Sequence, residues 1–411
     1  MHSNTPLILF SFALITSSNA LPYTPLAPPT PSPPSCKDLT LSITASALNW
    51  DLPPYPANAT DVATLGRYLG QTVPASNFSS KPKIKVDGTW EISARYCEPS
   101  IKVKEREGEV VQLLLHGFLS NKLYWHGLDY PNPDYSTQYD YAAHATSQGY
   151  ATLSIDNLGN GESSHPDPLK IVQFPLQQAI IRTIISSLRN GTLNPVNIPA
   201  KFEKVVMVGH SYGALHTREL SIVNPKGEDG GADAYILTST ALNPLGLSAI
   251  VSQATAGSAS VFDTAPSSKD LPNGYMAGKL SAWETYLYPS VERGEVDEKV
   301  IEFEKREFAH TFTVGELASP KLNTTSEFEG PVLVMTGRND VLVCSNGTIA
   351  GAAIADCGVG KEGIIAAMEK VYPRARFGVY VPDRTGHMLN FGYSAAETFG
   401  AAHMFLEENR L

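Results

Sequence analysis

The chain has 411 residues, 42% of them hydrophobic and 18% charged. That is enough apolar matter for a large core in one domain with an insertion, or in two modest domains, and it excludes a disordered or fibrous chain. A formal net charge of −10 excludes a polyanionic partner such as nucleic acid, because no basic stripe is present to meet phosphates. Small neutral or apolar ligands stay compatible with the composition.

Leu7 to Ile15 form an apolar run too short to span a bilayer, and Ser18-Asn19-Ala20 follows with the small-residue spacing of a signal-peptidase site. Residues 1–20 are read as a secretory signal, with a disordered or interfacial N-terminus as the alternative. A secreted chain with no integral membrane association is expected. Sequons at Asn58, Asn77, Asn190, Asn323 and Asn346 agree with export as glycan acceptors. So does an even set of cysteines, Cys36, Cys97, Cys344 and Cys357, which allows three pairings in an oxidising compartment. Pairing neighbours within each segment favours Cys36 with Cys97 and Cys344 with Cys357; the spacing does not suit zinc.

Residues 21–35 are rich in proline and predict an extended linker. Residues 36–87 hold scattered apolar positions and read as an N-terminal extension with one or two helices, tied down by Cys36 and without chemistry of its own. From Gly88 the pattern alternates, Trp90, Ile92, Ala94 and Tyr96 against Glu91, Ser93 and Arg95, which predicts a half-buried strand. Ile101 to Lys104 is a candidate second strand. Val110 to Leu115 is a continuous apolar run, as a parallel strand covered on both faces requires.

A strand–helix rhythm follows. Tyr135 to Ser147 reads as helix, Ala151 to Ile155 as strand, Pro175 to Arg189 as helix, Val205 to Val208 as strand, Ala214 to Val223 as helix and Ala234 to Thr238 as strand. This alternation predicts an α/β fold with a doubly wound, mostly parallel sheet. The rhythm lapses over 241–329, far longer than an ordinary α/β connection, so a helical cap or lid is expected there. Val291 to Ala309 has the spacing of a cap helix. Tyr275, Met276, Trp283, Tyr286 and Tyr288 are candidates either for a substrate cavity or for the cap's own core. The core, 88–240, then resumes over 330–411 with a strand Pro331 to Thr336, a helix near Lys361 to Val371, a strand Arg376 to Val381 and a helix Ala395 to Glu408.

The chemistry gathers at strand ends. Val205 to Val208 runs into Gly209-His210-Ser211-Tyr212-Gly213, a G-x-S-x-G turn between strand and helix, where glycines remove side chains that would clash and Ser211 Oγ stands clear. His116-Gly117-Phe118 follows the strand 110–115, Asp156-Asn157-Leu158-Gly159-Asn160-Gly161-Glu162-Ser163 follows the next, Gly337-Arg338-Asn339-Asp340 follows the strand after the cap, and Gly386-His387 follows the last. Together these resemble the α/β-hydrolase fold superfamily over residues 88–411, in particular its secreted, lid-bearing serine hydrolases of the esterase and lipase type, and the chain order Ser, Asp, His is the one that family uses. A serine hydroxyl needs a base to attack a carbonyl, so Ser211 is the expected nucleophile, His387 its general base and Asp340 the carboxylate that orients the imidazole. The resemblance implies that the amides of Phe118 and Tyr212 form the oxyanion hole.

Asp356 and Asp383 compete with Asp340, but only Asp340 closes a strand directly. His116 and His210 stand in supporting positions, His403 reads as a packed helix residue, and Asp156 reads as a brace for its own loop. Gly358 to Gly363 matches a dinucleotide-binding spacing, yet no apolar strand precedes it. No zinc or phosphate-loop motif occurs, so no cofactor or metal is expected.

These residues imply a serine hydrolase acting through an acyl-enzyme on a carboxylic ester, lactone or thioester of a small apolar molecule. An aminopeptidase of the same fold is the nearest alternative, with Glu284, Glu302 and Glu304 as candidates to bind an α-amino group. An acyltransferase or biosynthetic tailoring enzyme would use the same three residues, and a non-catalytic binding module is the remaining reading. Epoxide hydrolases and haloalkane dehalogenases share the fold but carry aspartate at the elbow, against Ser211.

Overall fold

The computed structural model describes residues 34–56, 62–72, 82–101, 103, 110–131, 137–193, 198, 201–225, 230–242, 256–258, 271–278, 284, 286–288, 295–307, 311–320, 322, 324–344, 357–358 and 363–411. The expected signal 1–20, most of the proline-rich linker, Trp283, Asp356 and the sequons at Asn58, Asn77, Asn323 and Asn346 lie outside the described residues.

The core strands are β1 (Cys36–Trp50), β2 (Lys83–Cys97), β3 (Val110–Leu115), β4 (Ala151–Ile155), β5 (Lys204–His210), β6 (Ala234–Thr238), β10 (Pro331–Met335) and β11 (Arg376–Tyr380). They form one sheet in the order β1-β2-β4-β3-β5-β6-β10-β11. From β4 to β11 every neighbouring pair is parallel, and β1 and β2 run antiparallel at one side. Every residue of β3, β4, β6 and β10 is buried, as parallel strands covered on both faces require, and the few polar side chains among them, Gln112, Thr152, Ser154 and Thr238, are buried with the rest. Helices α3 (Phe174–Asn190) and α4 (Tyr212–Val223) cover one face, Ile180, Ile184 and Leu188 of α3 packing with Leu113, Leu153 and Met207. Helices α2 (Tyr141–Ser147) and α8 (Ala395–Glu408) cover the other, where Phe399 and Leu406 meet Leu114, Val206 and Ile236.

Residues 36–87 correct one expectation. They carry a helix, α1 (Val62–Thr72), but their main feature is β1, zipped to β2 over its whole length from Cys36 opposite Cys97 to Trp50 opposite Lys83. The segment is thus part of the sheet, and a boundary at residue 87 falls inside β2. Leu41, Ile43 and Ala45 point inward while Ser42, Thr44 and Ser46 are exposed, the period-two pattern of a strand with one wet face. The expected strand at 101–104 is also corrected: Ile101 and Val103 lie outside any strand, and Lys102 and Lys104 lie outside the described residues.

Both disulfides join the expected partners, Cys36 to Cys97 and Cys344 to Cys357. No helix among the described residues is long and apolar enough to cross a membrane.

Within 241–329 the described residues are not purely helical. Strands β7 (Ala256–Ser258), β8 (Tyr275–Gly278) and β9 (Thr311–Thr313) form a small antiparallel sheet beside α5 (Glu298–Glu307) and α6 (Val314–Ala318). Tyr275, Met276 and Tyr288 are each no more than 2% exposed and belong to the core, Tyr275 Oη donating to the Pro166 carbonyl.

Candidate active site

The elbow forms where β5 turns into α4. Ser211 sits at φ 52°, ψ −112°, a conformation that costs a non-glycine residue about 1–3 kcal/mol and persists only where its surroundings impose it. Here they do. A Cβ on Gly209 would lie 2.2 Å from Thr217 Oγ1, and one on Gly213 would lie 2.4 Å from the Leu115 carbonyl oxygen, so both glycines let the turn close against α4 and β3. The Ser211 amide donates to the Thr238 carbonyl at 2.9 Å, tying the turn to β6.

Asp340 follows β10 and is fully buried. Its Oδ1 accepts the Val343 amide at 3.0 Å, from the short helix α7 (Val341–Cys344), and its Oδ2 lies 2.8 Å from His387 Nδ1. His387 Nε2 lies 2.9 Å from Ser211 Oγ. A carboxylate accepts only, so the network assigns the imidazole proton to Nδ1 and leaves Nε2 to accept from the serine hydroxyl. The two loops that carry Asp340 and His387 can meet because Gly337 has no side chain: a Cβ there would lie 2.3 Å from the carbonyl oxygens of Thr385 and Gly386. The His387 carbonyl accepts from Ser239 Oγ at 2.6 Å, fixing the backbone that carries the imidazole.

Beside the serine, Gly117 lies so close that an added Cβ would be 2.8 Å from Ser211 Cβ. His116 holds this loop: its Nδ1 donates to the Gly117 carbonyl at 2.8 Å, and its Nε2 accepts the Asn157 amide at 3.0 Å. Burial pushes the His116 imidazole below its usual range, which keeps the neutral tautomer this pattern requires. Phe118 and Tyr212 line the pocket with Ser211 and His387, and their rings stack at 4.1 Å. Tyr212 is the first residue of α4, where a backbone N–H has no carbonyl partner within the helix and the helix dipole is positive.

The other candidates fall elsewhere. His210 stacks on Tyr124 at 4.3 Å, and burial holds it well below its usual range. His403 packs against Gln112, its Nε2 3.1 Å from the amide nitrogen. Asp383 pairs with Arg338 on the surface at 2.9 Å. Asp156 braces its loop, accepting the amides of Lys122 at 2.6 Å and Glu162 at 2.9 Å. Its side chain also pairs with Lys122 Nζ at 3.1 Å, and that buried lysine carries no sequence signature. Asn190 ends α3 exposed, its Oδ1 accepting from the Thr192 amide at 2.9 Å.

The pocket above Ser211 is lined by Phe118, Tyr212, Leu215, Ser239, Thr240, Leu342, Val343 and His387. Tyr275, Met276 and Tyr288, candidates for this lining, are core residues instead, and Tyr286 is not among its lining residues. Glu284 and Glu302 both pair with Lys305 at 2.7 Å. Glu304 is buried, accepts from the Tyr288 hydroxyl, and is pushed up to about 7 by burial.

Sheet, elbow and strand-end loops together define an α/β hydrolase. The profile of the Alpha/beta hydrolase family matches residues 112–402, and the chain belongs to that family. No curated protein matches it. Among solved structures it is similar to a bromoperoxidase from Bacillus anthracis at 16% identity, covering 78% of this chain and 96% of that one with a TM-score of 0.48. An epoxide hydrolase from Vigna radiata is 16% identical over 78% of this chain and 95% of its own, TM-score 0.45. An esterase from Pyrococcus furiosus is 14% identical over 78% and 88%, TM-score 0.43.

Proposed function

We propose that the protein is a secreted, glycosylated serine hydrolase that cleaves a carboxylic ester, lactone or thioester in a small apolar molecule. One observation carries the reading: Ser211 Oγ, His387 and Asp340 stand in a continuous hydrogen-bonded line, at 2.9 Å and 2.8 Å, with the serine on a strained turn that faces a pocket.

In this reading Ser211 Oγ adds to the substrate carbonyl carbon while its proton passes to His387 Nε2. The imidazolium is stabilised by Asp340 through Nδ1–H. The charge that develops on the carbonyl oxygen is met by the Phe118 and Tyr212 amides, each worth on the order of 10²–10³ in rate. Collapse breaks the bond to the leaving group, which takes the proton from His387, and an acyl ester remains on Ser211. Water then attacks that ester with His387 as base, releasing the acid and restoring the serine. Apolar Phe118, Leu215, Leu342 and Val343 along the pocket favour an apolar acyl group. The two disulfides favour an oxidising compartment. The carboxylates considered for an aminopeptidase are engaged by Lys305 or by Tyr288, which gives that reading no support.

Turnover of a panel of p-nitrophenyl esters and thioesters tests this. Wild type should hydrolyse short and medium acyl esters and Ser211→Ala should not. Equal turnover by both proteins would remove Ser211 as the nucleophile. An acyl-enzyme that forms but is released only by added alcohols or amines would replace the hydrolase with an acyltransferase.

A further inference from the structure

Gln177 stands on α3, one layer behind the serine, and all its side-chain hydrogen-bonding capacity is used. Its Oε1 accepts from the Tyr212 hydroxyl at 2.9 Å and lies 3.2 Å from His216 Nε2. Its Nε2 donates to the Leu158 carbonyl and to Glu316 Oε1, both at 2.9 Å. Glu316 lies on α6 of the 241–329 segment and is fully buried. It also accepts from Asn160 Nδ2 at 3.0 Å and from the Thr313 amide at 2.7 Å, the latter closing a capping box with Thr313. The same segment also reaches the ring stacked on Tyr212, where Phe312 packs on Phe118 at 5.7 Å.

We infer that the strand–helix unit Thr311–Ala318 is a positioning element for the oxyanion hole, acting through Gln177 on Tyr212 and through Phe312 on Phe118. This rests on the hydrolase reading and deepens it. The amides of Phe118 and Tyr212 are backbone groups, so no side chain of their own can aim them. Their rings stack face to face, and the Tyr212 hydroxyl anchors that stack to Gln177. A buried glutamine with every bond satisfied has one low-energy placement, and Glu316 fixes it from the inserted segment. An oxyanion donor displaced by even part of an ångström loses much of its effect, since ~1 Å of misplacement costs about a hundredfold in rate. Gln177, Glu316 and Phe312 touch neither the nucleophile nor the base; their role is to place the donors.

The test compares Tyr212→Phe, Gln177→Met and the double variant, with Glu316→Ala for the inserted segment. The readouts are kcat and KM on a p-nitrophenyl ester, inhibition by an aryl trifluoromethyl ketone that forms a tetrahedral adduct on serine, and thermal melting. Each single variant should lower kcat roughly tenfold with KM within about twofold, and weaken the ketone by the same factor. The double variant should be no worse than Gln177→Met alone, because the hydroxyl acts through the amide. Unchanged kcat in folded Tyr212→Phe, or losses that multiply in the double variant, overturns the inference. Full kcat in folded Glu316→Ala removes the inserted segment from it. If Gln177→Met does not fold, Tyr212→Phe still decides, since it deletes a single hydroxyl. Failure of the underlying reading shows differently, as wild-type protein inert toward every ester or Ser211→Ala fully active.

Discussion

At the scale of residues, the site is made by a few close approaches that admit no extra atom. Gly213→Ala would place a methyl 2.4 Å from the Leu115 carbonyl oxygen, so the elbow must open and the serine move. On the proposed reading, loss of measurable ester hydrolysis with a clearly lowered melting temperature is expected; an active, equally stable variant contradicts the stated geometry. Asp340→Asn removes the carboxylate that orients His387 but keeps its shape, and kcat should fall by about 10⁴ with melting little changed. A kcat within tenfold of wild type would show that another group orients the imidazole. Ser211, Asp340 and His387 stood out as candidates in the sequence because each lies in the loop that follows an apolar strand run. Gln177 was not: its partner Glu316 is 139 positions away and no local pattern joins them. The one available signal was the T-x-x-E capping box from Thr313 to Glu316, which marks a helix start but not what the glutamate holds.

At the scale of elements, the two disulfides do different work. Cys36–Cys97 ties the ends of β1 and β2, which are directly opposite in register, and by chain entropy is worth about 4 kcal/mol. Cys344–Cys357 closes a shorter loop, worth about 3 kcal/mol on the same accounting, and Cys344 ends the short helix whose Val343 amide holds Asp340. Cys344→Ser with Cys357→Ser should therefore cost activity as well as stability, whereas Cys36→Ser with Cys97→Ser should lower melting with kcat nearly intact once folded. The reverse pattern would assign the loops wrongly. The central parallel strands were readable to within a residue or two because burial on both faces makes their side chains mostly apolar and β-branched, and turn residues bound each run. β1 was missed although Leu39, Leu41, Ile43, Ala45 and Ala47 alternate with small polar residues. Ser, Thr and Ala carry little contrast between faces, and the partner strand that makes the alternation meaningful begins more than thirty residues later. In the inserted segment, short strands such as Thr311–Thr313 form through tertiary pairing and leave no periodicity of their own.

At the scale of the whole molecule, buried titratable groups set the pH response. His116, His126, His144, His165, His210 and His216 are all pushed below the usual histidine range, burial being the largest cause in each, with His126 and His216 near 3 and His144 near 4. A depressed histidine binds its proton more readily unfolded, so the stability it contributes is full above about 6.5 and is lost as pH falls toward its folded value. Asp140, Glu304 and Glu316 are pushed up to about 7, again chiefly by burial. They act in the opposite sense, costing stability as pH rises from the ordinary carboxylate range to about 7. The four most strongly depressed histidines, His126, His144, His210 and His216, outnumber the three raised carboxylates between about pH 4.5 and 6.5. His116 and His165 act in the same direction, so melting temperature should rise through that window and level off near neutrality. A melting temperature higher at pH 5 than at pH 7 would contradict this balance.

Intact-mass spectrometry with peptide mapping, after exposure to an alkyl fluorophosphonate, reaches the central claim most directly. The arrangement of Ser211, His387 and Asp340 predicts one covalent adduct per chain, on Ser211, formed by wild type within minutes and absent from Ser211→Ala and from heat-denatured protein. An adduct on a different residue, or equal labelling of Ser211→Ala, would contradict it.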